Sequence, residues 1–519
     1  MKKSFLIGAF LLFTITAATI FGLQGEHLQG RFSFTSSSTG TTYYADDSST
    51  GTGLSMKDPI ALDPLLRGRS LQDGDTIMLV GGTYTPSFMY EVETDVTMIG
   101  IEDQTIFDCI NVSDCIRVDD GKTLTISNFQ MINHSETGIL ATGSGLHINN
   151  AYFHSPVYSG MGIDSYVLYQ ETGAFGSVSN SKFEKSASIA NQFGGIMMED
   201  GAEVDVFSNE FINIDSAVFG EFSGDGDTYD NHFEECAVAI RYEGASNRKI
   251  HSNIISFGET GLILGGTGNT EVLKNHITDV MIGVSSGGEV YNRYTGATEY
   301  GEVLIHDNYF ENLEYGIITE NGVNPSAPSA TIYQNEIKDS KVGIQSGGAD
   351  NSWIYRNHVI DTGTGLAAIY SYFHGTTPEP VIENNLVENS SVTGALLQGA
   401  QATFAYNTIA NGVNIGVTAN SGDQSFVVNN LLYDNSNEGF SFNSSSTELG
   451  NNNVFGSGIV YSGSYTNLGG NLELSPGFTG SGYDLNAGSP LIDAADHYFV
   501  TEDFDGNTRN KADIGAYEY

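Results

Sequence analysis

One asparagine recurs through most of the chain at nearly constant spacing, and this period limits the possible folds more than any other feature. From Asn209 the equivalent residue returns at Asn231, Asn253, Asn275, Asn308, Asn335, Asn357, Asn385, Asn407, Asn430 and Asn452. The steps are 22, 22, 22, 33, 27, 22, 28, 22, 23 and 22 residues, so the base period is 22 with occasional insertions. Looser copies near Asn128, Asn150 and Asn180 bring the repeats to about 13 units between residues 120 and 456.

Each unit contains two or three apolar runs that are too short for helices, separated by Gly, Asn, Asp and Ser. Such runs are typical of short strands joined by tight turns. A unit of this size cannot bury its own apolar face, whereas stacked copies can. The pattern therefore predicts an all-β, single-stranded parallel β-solenoid. We expect each recurring Asn at a corner, where it tolerates left-handed backbone and bonds to stacked neighbours.

The chain resembles the right-handed parallel β-helix of the pectate-lyase-like superfamily over roughly residues 40 to 519. "YYADDSSTGTG" and "LQDGDTIMLVGGTYTPS" resemble the first coil of secreted members, with a capping helix expected in "KDPIALDPLLRGRS". "LNAGSPLIDAADHYFVTEDFDGNTRNKADIGAYEY" resembles a C-terminal module that closes bacterial surface β-helix proteins. The resemblance implies a cap and first coils over residues 24–119, repeats over 120–456 and a C-terminal capping module over 457–519.

The first residues, "MKKSFLIGAFLLFTITAATIFGL", are typical of an export signal over residues 1–23. The apolar run from Phe5 to Leu23 is also nearly long enough to remain as a membrane anchor, and both alternatives stay open. We therefore expect a secreted or cell-surface protein, acting as a monomer.

Acidic residues greatly outnumber basic ones, at 63 against 20, for a net charge of −43. This excess excludes nucleic acid as a partner, because nucleic-acid binding needs clustered Lys and Arg. It also repels anionic glycans unless cations or a local basic patch intervene. High-salt habitat, solubility of a long extracellular rod and bound Ca²⁺ all remain explanations for the charge.

Two acidic loops are candidate Ca²⁺ sites, since oxygen ligands at alternate positions suit this ion. They contain Asp225, Asp227 and Asp230, and Asp503, Asp505 and Asp513. Asp-Gly turns without metal remain the alternative. Among the cysteines, Cys109 and Cys115 can form one small disulfide, and Cys236 is expected in the core.

Three insertions fall at the same corner of nearby coils, at residues 285–302, 318–329 and 367–379. Stacked together, they predict a wall of loops beside the outer face of the strands that precede each Asn. Because coils lie ~4.8 Å apart, His306, Tyr333, Tyr355 and Glu383 form one predicted stripe, with Lys274, Asp307, Gln334 and Arg356 beside it. Trp353 precedes the strand that ends before Arg356. Aromatic side chains with interleaved polar groups suit sugars. The insertions add Tyr291, Arg293, Tyr294, Tyr300, Tyr370, Tyr372, Phe373 and His374.

The resemblance also implies a reaction, because lyases of this superfamily abstract a proton α to a uronate carboxylate. Arg356 or His306 would be the base, Tyr333 or Tyr355 would protonate the leaving oxygen, and Lys274 would neutralise the carboxylate. Hydrolases need carboxylates ~5 to 9.5 Å apart. Asp307 and Glu383 are three coils and therefore ~14 Å apart, which disfavours hydrolysis.

Two functions remain open at this point. One is an exported protein that binds an extracellular polysaccharide and cleaves it by β-elimination. The other is a non-catalytic surface protein, either an adhesin or glycan-binding module or a structural rod. The scaffold does not decide between them, because function depends on the site.

Overall fold

The computed structural model describes residues 40–519, apart from 69–70, 135, 155–164, 186–192, 245–246, 267–268, 288–289, 292–297, 300–301, 322–329, 349–350, 370–378, 421–422, 481, 497 and 499. The predicted export signal or anchor, residues 1–23, lies outside the described residues. Within the described part of the chain, no helix has the length and apolarity needed to cross a membrane.

The chain winds through three parallel strands per coil, called A, B and C here, and each strand pairs with its equivalent one coil away. Ile305, for example, pairs with Val272 on one side and Ile332 on the other. This confirms the predicted parallel β-helix. The A strands are Asp75–Leu79, Val96–Ile99, Phe175–Ser179, Glu203–Phe207, Thr228–Tyr229, Lys249–His251, Thr270–Leu273, Val303–His306, Ala330–Tyr333, Trp353–Tyr355, Val381–Glu383, Thr403–Ala405 and Phe426–Val428.

The remaining strands follow the same order. The B strands are Gly82–Tyr84, Thr105–Asp108, Lys182–Glu184, Glu210–Ile212, His232–Glu234, Ile254–Ser256, His276–Thr278, Tyr309–Glu311, Glu336–Lys338, His358–Ile360, Leu386–Glu388, Thr408–Ala410, Leu431–Tyr433 and Asn453–Phe455. The C strands are Tyr90–Val92, Asp114–Val118, Thr137–Thr142, Ser165–Glu171, Phe193–Glu199, Ser216–Glu221, Val238–Glu243, Thr260–Gly265, Ile282–Ser286, Tyr315–Asn321, Val342–Gly348, Thr364–Ile369, Thr393–Gln398 and Ile415–Ala419. Thr123–Ile132 and Gly145–His154 each join an A to a B strand, and Glu438–Gly450 and Ile459–Gly469 each join a C to an A strand.

The first coil is covered by a short N-terminal element, as predicted. Strands Thr42–Asp46, Thr50–Ser55 and Asp58–Ala61 lead into the one helix among the described residues, Leu62–Arg67. Leu62, Leu65 and Leu66 are buried on its inner face. Pro64 does not break the helix, because it lies in the first turn, where no intrahelical partner exists for its missing N–H.

Inward side chains stack in columns and form one core cluster along the helix axis. The ring centroids of Phe153 and Phe183 are 4.8 Å apart, those of Phe183 and Phe211 4.7 Å, and those of Phe211 and Phe233 4.9 Å. These distances follow from the ~4.8 Å spacing of the coils. The predicted disulfide Cys109–Cys115 is present, and Cys236 is a buried free thiol.

The recurring asparagines form a buried hydrogen-bonded ladder between the A and B strands. The Nδ2 of Asn335 donates to Oδ1 of Asn357 at 2.9 Å and to the carbonyl of Ile305 at 2.8 Å. The backbone N of Asn335 donates to the same Oδ1 at 3.1 Å. The ladder continues beyond Asn452 to Asn471. Each amide therefore satisfies backbone groups that the corner would otherwise bury unpaired.

Two details of the predicted corner were wrong. The left-handed residue is the one before the ladder Asn, such as Asp307 at φ 55°, because the amide itself must point inward to reach its neighbours. Asn128, Asn150 and Asn180 are such left-handed residues, not ladder positions. Ser181 occupies the ladder position next to Asn180, and its backbone N donates to Oδ1 of Asn209 at 3.0 Å.

The C-terminal module also departs from the prediction. The last coil continues through Ile459–Gly469, beyond the expected boundary at residue 456. The segment that follows lies along the side of the preceding coils. Turn residues between A and B strands hold it, because their side-chain amides donate to its backbone carbonyls. Asn451 donates to Ala494 O at 3.0 Å, Asn429 to Asp496 O at 2.7 Å and Asn384 to Glu502 O at 2.8 Å.

Candidate functional site

A groove runs outside the turns that join A to B strands; we call it the A–B groove. Its floor is the left-handed turn residues, and its two walls are the outward side chains of the A and B strands. Over the first coils it forms a cavity of about 800 Å³ whose lining includes Asn128, Asn150, Asn180, Tyr152 and Lys182. Over the last coils the C-terminal module covers the same turns and both walls.

The A-strand wall carries an aromatic column at the position two residues before the ladder Asn. Phe207 stacks on Tyr229 at 5.0 Å and Tyr229 on His251 at 4.9 Å. After Leu273 the column resumes with His306 on Tyr333 at 4.6 Å and Tyr333 on Tyr355 at 5.1 Å. Glu383 follows Tyr355 in register, so all four members of the predicted stripe lie at the same position of successive A strands.

The orientation of these rings differs from the expectation of open platforms. Both faces of Tyr333 are covered, one by His306 and one by Tyr355, at interplanar angles of 11° and 7°. The column therefore presents ring edges and hydroxyl groups to the groove. Burial raises the pKa of both Tyr333 and Tyr355, so their hydroxyls stay protonated at neutral pH and can donate hydrogen bonds.

His306 is fixed at both ring nitrogens. Its Nε2 lies 3.0 Å from Oε1 of Glu271, and its Nδ1 lies 2.8 Å from Oδ2 of Asp307. Lys249 pairs with the other oxygen of Glu271 at 2.6 Å. Burial acts to raise the pKa of Glu271, but hydrogen bonds from Lys249 and His306 outweigh it and the net pKa is lowered. His306 is only 7% exposed and its ring stacks on that of Tyr333.

The far end of the open groove is closed by the module. Glu383 is 4% exposed and accepts hydrogen bonds from Nε1 of Trp353 at 2.9 Å and from the hydroxyl of Tyr498 at 3.2 Å. Burial raises the pKa of its carboxyl. Contrary to the prediction, Glu383 does not face an open groove, because the module lies over it. Trp353 remains half-exposed beside Tyr355.

Arg356 and Lys274 occupy floor positions with different surroundings. The Arg356 guanidinium donates from Nε to the carbonyl of Phe504 at 2.8 Å and pairs with Glu502 at 3.3 Å. These contacts favour a role in anchoring the module over the role of base. Lys274 is exposed on the floor one coil before Asp307.

The predicted wall of insertions lies largely outside the described residues. Its segments do follow C strands and precede A strands, as expected. Tyr291 belongs to the short strand Val290–Tyr291, which pairs antiparallel with Thr298–Glu299. The other aromatic and basic residues predicted here are outside the described part of the chain: Arg293, Tyr294, Tyr300, Tyr370, Tyr372, Phe373 and His374.

The candidate Ca²⁺ loops have carboxylates already engaged by the protein. Asp503 accepts hydrogen bonds from the backbone N of Asn507 at 2.6 Å and of Glu518 at 3.0 Å. Asp513 accepts two more backbone bonds, and burial raises the pKa of Asp505.

The carboxylates of the other candidate loop are engaged as well. Asp225 accepts a hydrogen bond from the side chain of Asn247, and Asp227 accepts one from the backbone N of Lys249. Asp230 belongs to the groove floor. No cluster of three or more His, Cys, Asp or Glu side chains within the described ranges is arranged to hold a metal. Calcium at either loop stays a prediction.

The N-terminal section of the groove was missed by sequence reasoning. Its first coils have no ladder Asn, and the misplaced register hid the fact that Tyr152 and Lys182 share the B-strand wall. The Tyr152 hydroxyl donates to Glu184 at 2.7 Å, and burial raises the pKa of Tyr152 to about 12. Lys182 pairs with Glu184 at 3.4 Å and Glu210 at 3.5 Å.

Residues 321–474 match the family described as "Right handed beta helix region". The fold is a right-handed parallel β-helix. Among curated protein sequences no match is found.

Several solved structures are similar to this chain at low sequence identity. A tailspike protein of E. coli bacteriophage HK620, solved with a pentasaccharide, is 10% identical over 78% of this chain and 73% of its own, with a TM-score of 0.42. The tailspike gp61 of Pseudomonas phage phi297 is 10% identical over 60% of this chain and 70% of its own, with a TM-score of 0.40. A mannuronic-acid-specific lyase from human gut microbiota is 11% identical over 70% of this chain and 88% of its own, with a TM-score of 0.36.

Proposed function

We propose that this protein acts outside the cell and binds a polysaccharide lengthwise in the open part of the A–B groove. The observation that carries the proposal is the repetition of polar groups along the groove at every coil. The hydroxyls of Tyr333 and Tyr355 and the floor residues Lys274, Asp307 and Gln334 recur at the ~4.8 Å coil spacing. An extended polymer with hydroxyl groups on every unit matches a surface of this kind.

The proposal has an internal precedent in the covered half of the groove. There the module lies across successive coils, and a floor side chain holds one of its carbonyl oxygens at each of several coils. The same architecture in the open half offers hydrogen-bonding groups without an occupant from the described residues. Hydrogen bonds to hydroxyl groups then fix the register of the bound chain.

The test is electrophoresis of the full chain through gels containing an alginate, a galactomannan or a laminarin. We expect at least one polysaccharide to retard the protein. Tyr333→Phe should raise the apparent Kd about tenfold, because one hydrogen bond to the polysaccharide is lost. Tyr315→Phe is the matched control, since Tyr315 lies on a C strand outside the groove. If no polysaccharide retards the protein, binding in this groove is wrong. If one does but both variants behave alike, binding beside Tyr333 is wrong.

Cleavage by β-elimination is the second candidate function. It is favoured by the stacking of His306 on the protonated Tyr333, which places two residues of the predicted acid–base set side by side on the A-strand wall. A lyase would produce an unsaturated product that absorbs in the ultraviolet when alginate is supplied. Rising absorbance that disappears in His306→Gln and persists in His276→Gln would support it, since His276 stacks on Tyr309 on the opposite wall. Absorbance that stays flat would leave binding as the function.

A further inference from the structure

The covered half of the A–B groove shows how its floor holds a chain. Asn384, Asn429 and Asn451 have left-handed backbones, with φ values of 54°, 60° and 50°. Each side-chain amide donates to a carbonyl oxygen of the module, at 2.8, 2.7 and 3.0 Å. A left-handed Asn at this position therefore directs its amide into the groove, where it binds an uncharged oxygen acceptor.

The same arrangement recurs in the N-terminal section, where the module is absent. Asn128, Asn150 and Asn180 have φ values of 60°, 53° and 49° and succeed one another in register. Asn150 donates to Oδ1 of Asn128 at 2.8 Å, which orders the two amides and leaves further donor and acceptor capacity on both. All three line the cavity of about 800 Å³.

The B-strand wall of this section fixes the charge of what can bind. Lys182 is neutralised by Glu184 and Glu210, at 3.4 and 3.5 Å. Glu102, Asp103 and Asp230 also line the cavity, so its balance of charge is negative. An anionic glycan would meet like charges at close range, which costs free energy. Hydroxyl groups, in contrast, can donate to the carboxylates and accept from the amides.

We propose that the N-terminal section of the A–B groove is a separate binding site for an uncharged polysaccharide. The chain lies along the helix axis, with Asn128, Asn150 and Asn180 on the floor and Tyr152 and Gln130 on the wall. This inference specifies the ligand class within the proposed function and rests on it, but it places the contacts several coils away from Tyr333.

The test uses the full chain in gels containing galactomannan or laminarin, which are uncharged, and alginate, which is anionic. The variant Asn150→Gly/Asn180→Gly removes two floor amides while keeping a residue that accepts positive φ. Asn389→Gly is the matched control, because Asn389 also has a left-handed backbone, at φ 57°, and donates to a side-chain oxygen of Asp361 outside the groove. Thermal unfolding of each variant checks that the coils remain folded.

We expect an uncharged polysaccharide to retard the wild type, and the double variant to bind it at least tenfold more weakly than Asn389→Gly does. Retardation by alginate alone overturns the inference. The inference is also overturned if an uncharged polysaccharide retards the double variant as strongly as the wild type but retards Tyr333→Phe less. That outcome leaves the proposed function intact. If none of the three polysaccharides retards the protein, both proposals are wrong.

Discussion

At the scale of single residues, two adjacent positions in each coil of the Asn ladder have opposite roles. The ladder Asn turns inward and satisfies the buried backbone, while the residue before it adopts left-handed backbone and turns outward into the groove. Asn, Asp and short polar residues tolerate this conformation. Lys274, Arg356 and Tyr406 also adopt it, because the hydrogen bonds of the ladder Asn that follows each of them hold the backbone in place. The sequence therefore reveals the ladder more clearly than it reveals the groove floor.

The ladder predicts a large stability effect from a single amide. Asn357 is fully buried, donates from Nδ2 to Oδ1 of Asn385 at 3.0 Å and to Ile332 O at 2.9 Å, and accepts from Asn335. Asn357→Ala leaves several buried groups unpaired, and we expect the free energy of unfolding to fall by about 3 kcal/mol. Asn437→Ala, an exposed control, should change it by less than about 0.5 kcal/mol. Denaturant unfolding curves measure both, and equal midpoints would contradict the structural role of the ladder.

At the scale of elements, the C-terminal module is attached to the coils by local polar contacts as well as by apolar packing. Leu485, Leu491 and Ile514 pack on Leu431, and the Tyr483 hydroxyl donates to Glu388 at 2.8 Å. His358 lies 2.6 Å from the other oxygen of Glu388. The hydrogen bond from His358, followed by that from Tyr483, lowers the pKa of the Glu388 carboxyl against the effect of burial.

This lowered pKa predicts that acid weakens the attachment of the module. A carboxyl whose pKa is lower in the folded state stabilises that state above its unfolded pKa, about 4.3 for Glu, and the stabilisation is lost as pH falls through the folded pKa. We expect amide hydrogen exchange in the module around Tyr483 to accelerate as pH falls below about 4.3, after correction for intrinsic exchange rates. In Glu388→Gln the exchange should be faster at neutral pH and less dependent on acid.

The pKa of Glu383 is shifted in the opposite direction to that of Glu388, so a Glu383 variant serves as a control for this experiment. Burial raises the pKa of its carboxyl, so the folded state is favoured as pH falls and Glu383 becomes protonated. Glu383→Gln should therefore leave the acid-induced acceleration in place or make it larger. Acceleration that is the same in the wild type and in Glu388→Gln would show that other groups control the attachment.

The elements also show how far sequence reasoning reaches. The period of 22 residues predicts the coils, the corner for insertions and the in-register stripe of His306, Tyr333 and Tyr355, because all of these depend on neighbours one repeat away. The position of the module depends on contacts between residues more than 100 positions apart, such as Asn384 with Glu502, and no local pattern encodes them. The register of the first coils is lost because Ser181 replaces the ladder Asn.

At the scale of the whole molecule, the stacking of coils brings like charges close together as well as apolar side chains. Glu199, Glu221 and Glu243 pair in register on three successive C strands, so like charges recur at the ~4.8 Å coil spacing. Asp205 and Asp227 do the same on neighbouring A strands, and desolvation raises the pKa of Asp227. With a net charge of −43, this mutual repulsion opposes the compact state over the length of the helix.

Screening this repulsion should stabilise the fold. Raising NaCl from about 0.01 M to about 1 M shortens the Debye length from about 30 Å to about 3 Å, which is less than the separation of neighbouring coils. We expect Tm to rise by several degrees over this range and the rise to be smaller in Glu221→Gln, which removes the central charge of the column. CaCl₂ at the same ionic strength separates screening from binding. Equal Tm values in the two salts would indicate screening alone. A higher Tm in CaCl₂ that disappears in Asp503→Asn would support a Ca²⁺ site in the C-terminal loop. A Tm that falls or stays constant with NaCl would contradict the repulsion argument.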